Sequence, residues 1–132
     1  MLNMPKRFVD RMVAHARAEA PNECCGLLAG RDERVLKLYR IASSQRSPMR
    51  YYMEPQELYN ALREIDDNGL ETLAVYHSHP AGRAYPSATD VELSWPDYTY
   101  IIISLVEAEK PDVAAFRIAD GKITQVGLRI GR

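Results

Sequence analysis

Residues 71–90 constrain the fold of this 132-residue chain more than any other segment. The stretch ETLAVYHSH has the composition of a strand, and Pro80 cannot donate a hydrogen bond to a sheet, so the strand should end there. A loop of sequence AGRAYP follows, and then SATDVELS, which predicts a short helix that Pro96 cannot continue. The chain must therefore turn from a strand into a helix within a few residues of His77 and His79.

The remaining segments predict helices interspersed with strands. Apolar residues at helical spacing indicate helices over residues 5–20 and from Pro55 to Asn68. Further strands are predicted for CCGLLAG, VLKLYRIA, RYYME, YTYIIISLV, DVAAFRI and KITQVGLRI, the last two joined by the hairpin signal Asp120-Gly121. This order predicts the α/β class, with a mixed, largely antiparallel sheet flanked by helices. The length is typical of one domain, so we expect residues 1–132 to form a single domain.

The charge balance argues against nucleic acid and anionic membranes as partners. Lys and Arg number 17 against 18 Asp and Glu, which leaves a formal net charge of -1 and no basic surface for phosphate. No apolar run approaches the length of a membrane span. The adjacent Cys24 and Cys25 cannot make a disulfide framework, and the start MLNMPKRFVD lacks the apolar core of a signal peptide. We therefore expect a cytoplasmic protein.

His77, His79 and Asp90 have the chemistry of a catalytic zinc site. Side chains at i and i+2 of a strand share a face, so both imidazoles can turn toward one ion. The loop can return the chain so that Ser87 and Asp90 lie on one side of the first turn of the helix. Two neutral imidazoles and a carboxylate are a common catalytic set that leaves a fourth position for water, whereas structural sites have four protein ligands. We expect one zinc ion per chain.

Each of these residues also has a purely structural interpretation. A His-x-His pair on a strand often lies at the surface or makes ordinary hydrogen bonds, and Ser87 followed by Asp90 resembles a helix cap. His15 falls among charged residues of the first predicted helix, where a solvated role is the simplest interpretation. Arg83 and Tyr85 lie in the loop before the third helix, where they are candidates for contact with a substrate tail.

The motif residues resemble a known family. The order Glu23, then HSHP at 77–80, then PSATD at 86–90 is similar to the JAMM motif of the MPN (Mov34/PAD-1) metalloproteases. The seven residues between the second histidine and the serine match the family spacing. The likeness runs from the helix before ECCGLLAG through YYMEPQEL to the final strands. It is greatest to the compact bacterial branch, which includes peptidases that release cysteine or another C-terminal adduct from ubiquitin-like sulfur-carrier proteins.

The resemblance implies a role for each residue of the motif. His77, His79 and Asp90 would bind zinc. Glu23 would be the general base and then the general acid, and Ser87 would donate a hydrogen bond to the tetrahedral oxyanion. The implied reaction is hydrolysis of an amide, peptide or isopeptide bond after a diglycine-like tail, for example releasing cysteine.

The partner that the resemblance implies is a small ubiquitin-like sulfur carrier. The chain is short and leaves little room for the insertions by which larger deubiquitinases grip ubiquitin chains. Two other classes of function remain open. The chain could be a non-catalytic MPN-type binding scaffold, or a zinc-binding regulatory module with no hydrolytic role.

Overall fold

Three helices and eight strands form in the part of the chain that the computed structural model describes, residues 1–131. The helices are α1 (Lys6–Glu19), α2 (Pro55–Asp67) and α3 (Ala88–Glu92). The strands are β1 (Leu2–Met4), β2 (Cys25–Arg31), β3 (Arg34–Ile41), β4 (Glu71–His79), β5 (Thr99–Ser104), β6 (Asp112–Ala119), β7 (Lys122–Val126) and β8 (Leu128–Ile130). The predicted α/β class with a mixed sheet is confirmed.

The sheet has the order β7-β6-β5-β4-β2-β3-β1-β8. β4 lies in its interior, antiparallel to β2 and parallel to β5. The two outermost strands follow each other in the chain and are separated by Gly127 alone. The sheet must therefore curl until its two ends meet, with β7 paired to β6 and β8 paired to β1. The sequence predicted this last segment as a single strand, because the change of partner at Gly127 leaves no local signal.

The strand expected at RYYME is wrong. Residues 42–54 instead form a loop whose two ends are joined by backbone hydrogen bonds. The Glu54 N–H donates to the Ala42 carbonyl at 2.8 Å, and the Ser44 N–H donates to the Tyr52 carbonyl at 2.8 Å. Met53 makes only an isolated bridge. The Glu54 carboxylate caps α2 by accepting from two backbone N–H groups of its first turn. The segment is a structured loop that leads directly into α2.

Two apolar layers cover the two faces of the sheet. α1 packs on one face and α2 on the other, and Cys24 and Cys25 point into opposite layers, as their adjacent positions predicted. Both thiols are buried. Among residues 1–131, no helix combines the length and the apolar composition needed to cross a bilayer.

His15 is part of the core, and the expectation of a solvated histidine is wrong. Its side chain is 6% exposed, and Nδ1 lies 2.7 Å from the Tyr76 hydroxyl. Phe8, Met12 and His15 follow the i, i+4, i+7 spacing of the buried stripe of α1, so the helical periodicity carried this signal. The neighbouring charged residues concealed it. Burial, aided by the charge of Arg40, lowers the pKa of His15, so the ring is neutral at pH 7.

We expect His15→Ala to destabilise the protein by about 2–4 kcal/mol, because it leaves a cavity and a buried Tyr76 hydroxyl without its partner. Folding lowers the pKa of His15, so the neutral ring contributes to the stability of the folded protein above about pH 6.5. This contribution is lost as the pH falls through the pKa of His15 in the folded protein. Urea denaturation measures the loss. His15→Phe combined with Tyr76→Phe removes both polar partners and should cost less than the two single losses added together. A His15→Ala protein as stable as wild type would contradict this packing.

Candidate active site

The interior strand β4 places the two histidines of the motif. His77 and His79 are both buried, and their Nε2 atoms lie 3.2 Å apart. They are the last alternating pair of a strand that is covered by β2 on one side and β5 on the other. Their rings therefore share one face at the end of a rigid strand, as the i, i+2 spacing predicted.

The start of α3 brings Asp90 to the same point. The Ser87 hydroxyl accepts a hydrogen bond from the Asp90 N–H at 3.1 Å, and the Ser87 N–H donates to Asp90 Oδ2 at 2.9 Å. The same Oδ2 atom lies 3.1 Å from His77 Nε2 and 3.0 Å from His79 Nε2. The capping interpretation and the site interpretation of Ser87 and Asp90 are thus both compatible with this geometry.

The three facing atoms fit a tetrahedral metal. Ligand bonds of about 2.0–2.1 Å to zinc set neighbouring ligand atoms ~3.3 Å apart in a tetrahedron. The separations among His77 Nε2, His79 Nε2 and Asp90 Oδ2 are 3.0–3.2 Å, so only small outward shifts are needed. Two imidazole nitrogens and one carboxylate oxygen are donors that zinc accepts. These residues could therefore hold the ion that the motif implies.

The loop after β4 fixes the orientation of His79. The Arg83 carbonyl lies 2.9 Å from His79 Nδ1, and because a carbonyl only accepts, Nδ1 must carry the hydrogen. Nε2 then presents its lone pair to the site, as a metal ligand must. The Ser104 hydroxyl donates to the Gly82 carbonyl at 2.6 Å and holds this loop against β5.

The titration of the three residues is coupled. Burial alone would raise the pKa of Asp90, but hydrogen bonds with His77 and His79 outweigh it and hold that pKa well below its usual range. Burial lowers the pKa of His77 and favours its neutral form. For His79, Asp90 and the Arg83 carbonyl outweigh burial and raise the pKa. The site thus contains a stable carboxylate and at least one neutral imidazole.

Glu23 arrives beside the histidines through the pairing of β2 with β4. Cys25 pairs with His77 in antiparallel register, and the pairing continues because the Ser78 N–H donates to the Cys24 carbonyl at 3.2 Å. Glu23 lies two residues before Cys25, and its carboxyl is close enough for the charges of His79 and Asp90 to shift its pKa. Strand register, which one strand's sequence does not reveal, therefore brings Glu23 to the site.

The Glu23 carboxyl is buried without a hydrogen-bond partner for one of its oxygens. The side chain is 5% exposed, and no group among residues 1–131 hydrogen-bonds to Oε1. Burial raises the pKa of Glu23 to about 7, with a lowering contribution from His79 and a raising one from Asp90. A carboxyl with this pKa can both accept and return a proton near neutral pH.

This burial predicts a pH-dependent gain of stability for Glu23→Gln. Folding raises the pKa of Glu23 from 4.5 to about 7, because burial disfavours the ionised carboxylate. The wild-type protein therefore has its full stability below pH 4.5, where Glu23 is neutral in both states, and loses stability as the pH rises through 7. After a discount for solvent screening, we expect the substitution to increase the free energy of unfolding of the metal-free protein by about 1–2 kcal/mol at pH 8 and by much less at pH 5. Denaturation curves of chelated protein measure the difference. Glu19→Gln, an exposed control, should change little, and no gain from Glu23→Gln at pH 8 would contradict the burial.

A groove of about 970 Å³ opens beside His77 and Asp90. α2 forms one wall, the loop before it forms a second, and the segment that follows α3 forms the third. Its lining is mainly apolar and aromatic, and includes Tyr51, Tyr52, Met53, Leu58, Leu62, Leu93, Trp95 and Tyr98. Trp95 is 67% exposed at its rim. This groove leaves no signal in the sequence, since its walls come from three separate segments.

Arg83 and Tyr85 lie away from this groove. The Arg83 guanidinium stacks over the Tyr85 ring at 4.9 Å, and that ring packs edge-on against Phe116 at 5.4 Å. Arg83 instead lines a smaller cavity of about 320 Å³ with Ser104 and Lys110. Contact of Arg83 or Tyr85 with a substrate stays a prediction.

Comparison with known proteins gives the family. The model described as prokaryotic homologs of the JAB domain matches residues 5–119. The chain belongs to the prokaryotic JAB family. The resemblance to JAMM metalloproteases is thereby confirmed.

Two curated relatives of this JAB-family chain are named for cleavage reactions. The CysO-cysteine peptidase of Mycobacterium tuberculosis is 37% identical over 121 residues, which cover 89% of this chain and 83% of the relative. The desampylase of Pyrococcus furiosus is 32% identical over 128 residues, which cover 95% of this chain and 87% of the relative. This JAB-family chain is a hydrolase.

Two solved structures have the same fold as this JAB-family chain. Protein DSY2949 from Desulfitobacterium hafniense superposes with a TM-score of 0.89 at 36% identity, covering 98% of this chain and 92% of that one. AF2198, a JAB1/MPN domain protein from Archaeoglobus fulgidus, superposes with a TM-score of 0.69 at 16% identity, covering 99% and 100%. The MPN-like fold expected from the sequence is confirmed.

Proposed function

We propose that this chain is a zinc-dependent peptidase that cleaves the amide or isopeptide bond after the C-terminal diglycine of a small ubiquitin-like sulfur-carrier protein, for example releasing cysteine. One observation carries the proposal: the ligand atoms of His77, His79 and Asp90 converge at 3.0–3.2 Å, and Glu23 is buried within reach of the charges of His79 and Asp90. This arrangement has the donors of an open catalytic zinc site and a separate acid–base group.

The metal would be held by His77, His79 and Asp90, which leave one coordination position open. A zinc ion bound there supplies a Lewis acid that polarises a carbonyl and lowers the pKa of water. The capping hydrogen bond from the Ser87 N–H and the Arg83 carbonyl orient Asp90 and His79 before anything binds. This preorganisation limits the entropy lost on metal binding.

Glu23 would move the proton during hydrolysis. Its carboxylate takes a proton from the attacking water, and the resulting acid returns that proton to the leaving amine. The raised pKa of about 7 suits both steps, because either protonation state is accessible near neutral pH. Glu23 lies outside the group of facing ligand atoms, which fits an acid–base role in place of metal binding.

Ser87 would stabilise the oxyanion that develops on the scissile carbonyl. Its Oγ accepts from the Asp90 N–H, and this uses a lone pair and leaves the hydroxyl hydrogen available. A donor already fixed by a helix cap needs no reorganisation as negative charge develops. Ser87 can therefore cap α3 and serve the reaction at once.

The apolar groove would take the extended tail of the carrier. His77 and Asp90 are among the residues that line it, so a peptide lying in it would bring its C-terminal bond to the site. Aromatic and aliphatic walls favour aliphatic residues upstream of the diglycine. The names of the M. tuberculosis and P. furiosus relatives support a protein-conjugate substrate of this kind.

Intact-mass analysis of a carrier that ends in diglycine-cysteine tests this function. We expect the zinc-loaded chain to remove the cysteine and leave a diglycine carboxylate, and we expect chelated protein and Glu23→Gln to leave the carrier intact. A second carrier with charged residues before the diglycine should be cleaved more slowly, with the loss in KM. No cleavage of either carrier by protein with stoichiometric zinc would contradict the proposal. Tight carrier binding without cleavage would favour the scaffold alternative.

A further inference from the structure

The two histidines of the site are held in different ways. His79 is fixed by its hydrogen bond to the Arg83 carbonyl at 2.9 Å. His77 is only 1% exposed, yet among residues 1–131 no group hydrogen-bonds to its Nδ1. Histidines that bind metals almost always have their second nitrogen fixed by a hydrogen bond. Among the described residues, no hydrogen bond at Nδ1 therefore sets the ring orientation of His77.

The ring of Tyr51 lies against the ring of His77. The two ring centroids are 4.8 Å apart and the planes are inclined by 29°, which is a stacked arrangement. Tyr51 in turn packs on the apolar cluster between α2 and the sheet, so its ring is backed by the core. The loop of residues 42–54, closed by its own backbone hydrogen bonds, delivers it there. The Tyr51 ring thus limits rotation of the His77 ring on one face.

We propose that Tyr51 is a positioning residue for His77, and that its stacked ring replaces the missing hydrogen bond and keeps Nε2 directed toward Asp90 and His79. The inference rests on the proposed zinc site. The contact is made by the face of the ring, so it needs an aromatic side chain and does not need the hydroxyl.

The expected effect is on zinc affinity. Loss of a group that orients a metal ligand typically weakens binding about 10- to 100-fold. Tyr51→Leu should therefore raise the zinc dissociation constant about tenfold, whereas Tyr51→Phe should stay within about twofold of wild type, because it keeps the stacked pair. The Phe variant distinguishes ring stacking from a role of the hydroxyl.

Tyr39→Leu is the matched control. Tyr39 is a partly buried tyrosine that packs on the same apolar cluster, but its ring lies under the Lys37 ammonium at 5.4 Å and stacks on no histidine. Both leucine variants should lower the melting temperature of metal-free protein through lost packing. Only Tyr51→Leu should also lose zinc affinity.

Competition with a chromophoric chelator measures the zinc dissociation constant of each folded variant, and the visible absorption of the cobalt-substituted protein reports the ligand geometry. We expect Tyr51→Leu to bind zinc weakly. Tyr51→Phe and Tyr39→Leu should both bind zinc about as tightly as wild type. If Tyr51→Leu does not fold, Tyr51→Met carries the same expectation. Wild-type affinity and an unchanged cobalt spectrum in the non-aromatic variant would overturn the inference, as would equal weakening in Tyr51→Phe or Tyr39→Leu. Failure of the wild-type chain to bind zinc would instead contradict the proposed function itself.

Discussion

Glu23→Gln should lower kcat on a diglycine-cysteine carrier by about a thousandfold, the scale of a lost general acid–base group. The amide has nearly the same size as the carboxyl but cannot accept the proton of the attacking water. Because Glu23 lies outside the facing ligand atoms of His77, His79 and Asp90, the variant should keep its zinc. KM should change little, since the groove is untouched.

Single-turnover kinetics with zinc-loaded protein measure this loss, and zinc content is determined on the same samples. Glu19→Gln is the matched control: it makes the same chemical change at an exposed glutamate of α1 and should keep wild-type rates. Cooperative denaturation of the metal-free Glu23→Gln protein at pH 8 checks that the variant is folded. Turnover of Glu23→Gln at the wild-type rate would remove Glu23 from the mechanism.

Asp90→Asn should weaken zinc binding by at least about a hundredfold, more than the loss of an orienting group. The substitution removes the negative charge that faces His77 and His79 but leaves an amide oxygen that can still accept from the Ser87 N–H. The cap of α3 should therefore persist while the metal site fails. Asp90 is the one anionic member of the set, so its charge offsets half of the double positive charge of the ion.

Isothermal titration of metal-free protein with zinc measures the affinity, and circular dichroism checks the fold. Glu92→Gln, which neutralises another acid in the same short helix, should bind zinc as wild type does. Activity should fall in parallel with zinc occupancy and recover in part at high zinc concentration. An Asp90→Asn protein with unchanged zinc affinity would exclude Asp90 from the ligand set.

The sequence predicted best what depends on neighbours along the chain. β4 and its end at Pro80 follow from local composition, and the cap at Ser87 follows from a four-residue pattern. These local signals already placed His77, His79 and Asp90 within reach of one another. Family resemblance added Glu23, which the antiparallel pairing of β2 with β4 brings near His79.

The features that the sequence missed depend on contacts between distant segments. β1 is three residues long, and it forms because β3 and β8 flank it in the curled sheet. The local sequence predicts that Tyr51 is part of a strand. Instead, backbone hydrogen bonds within residues 42–54 form a loop that directs the Tyr51 ring toward His77. The groove likewise arises where α2 and the segment after α3 face each other. The periodicity of apolar residues describes one helix or strand at a time, so it contains no information on contacts between distant segments.

Anomalous diffraction at the zinc edge, from crystals of the zinc-loaded protein, tests directly whether His77, His79 and Asp90 bind the metal. We predict one peak per chain, bonded to Nε2 of His77, Nε2 of His79 and a carboxylate oxygen of Asp90, with Glu23 close by but not coordinated. A peak bound elsewhere, a peak with Glu23 among its ligands, or fully reconstituted crystals without a peak at this position would contradict it.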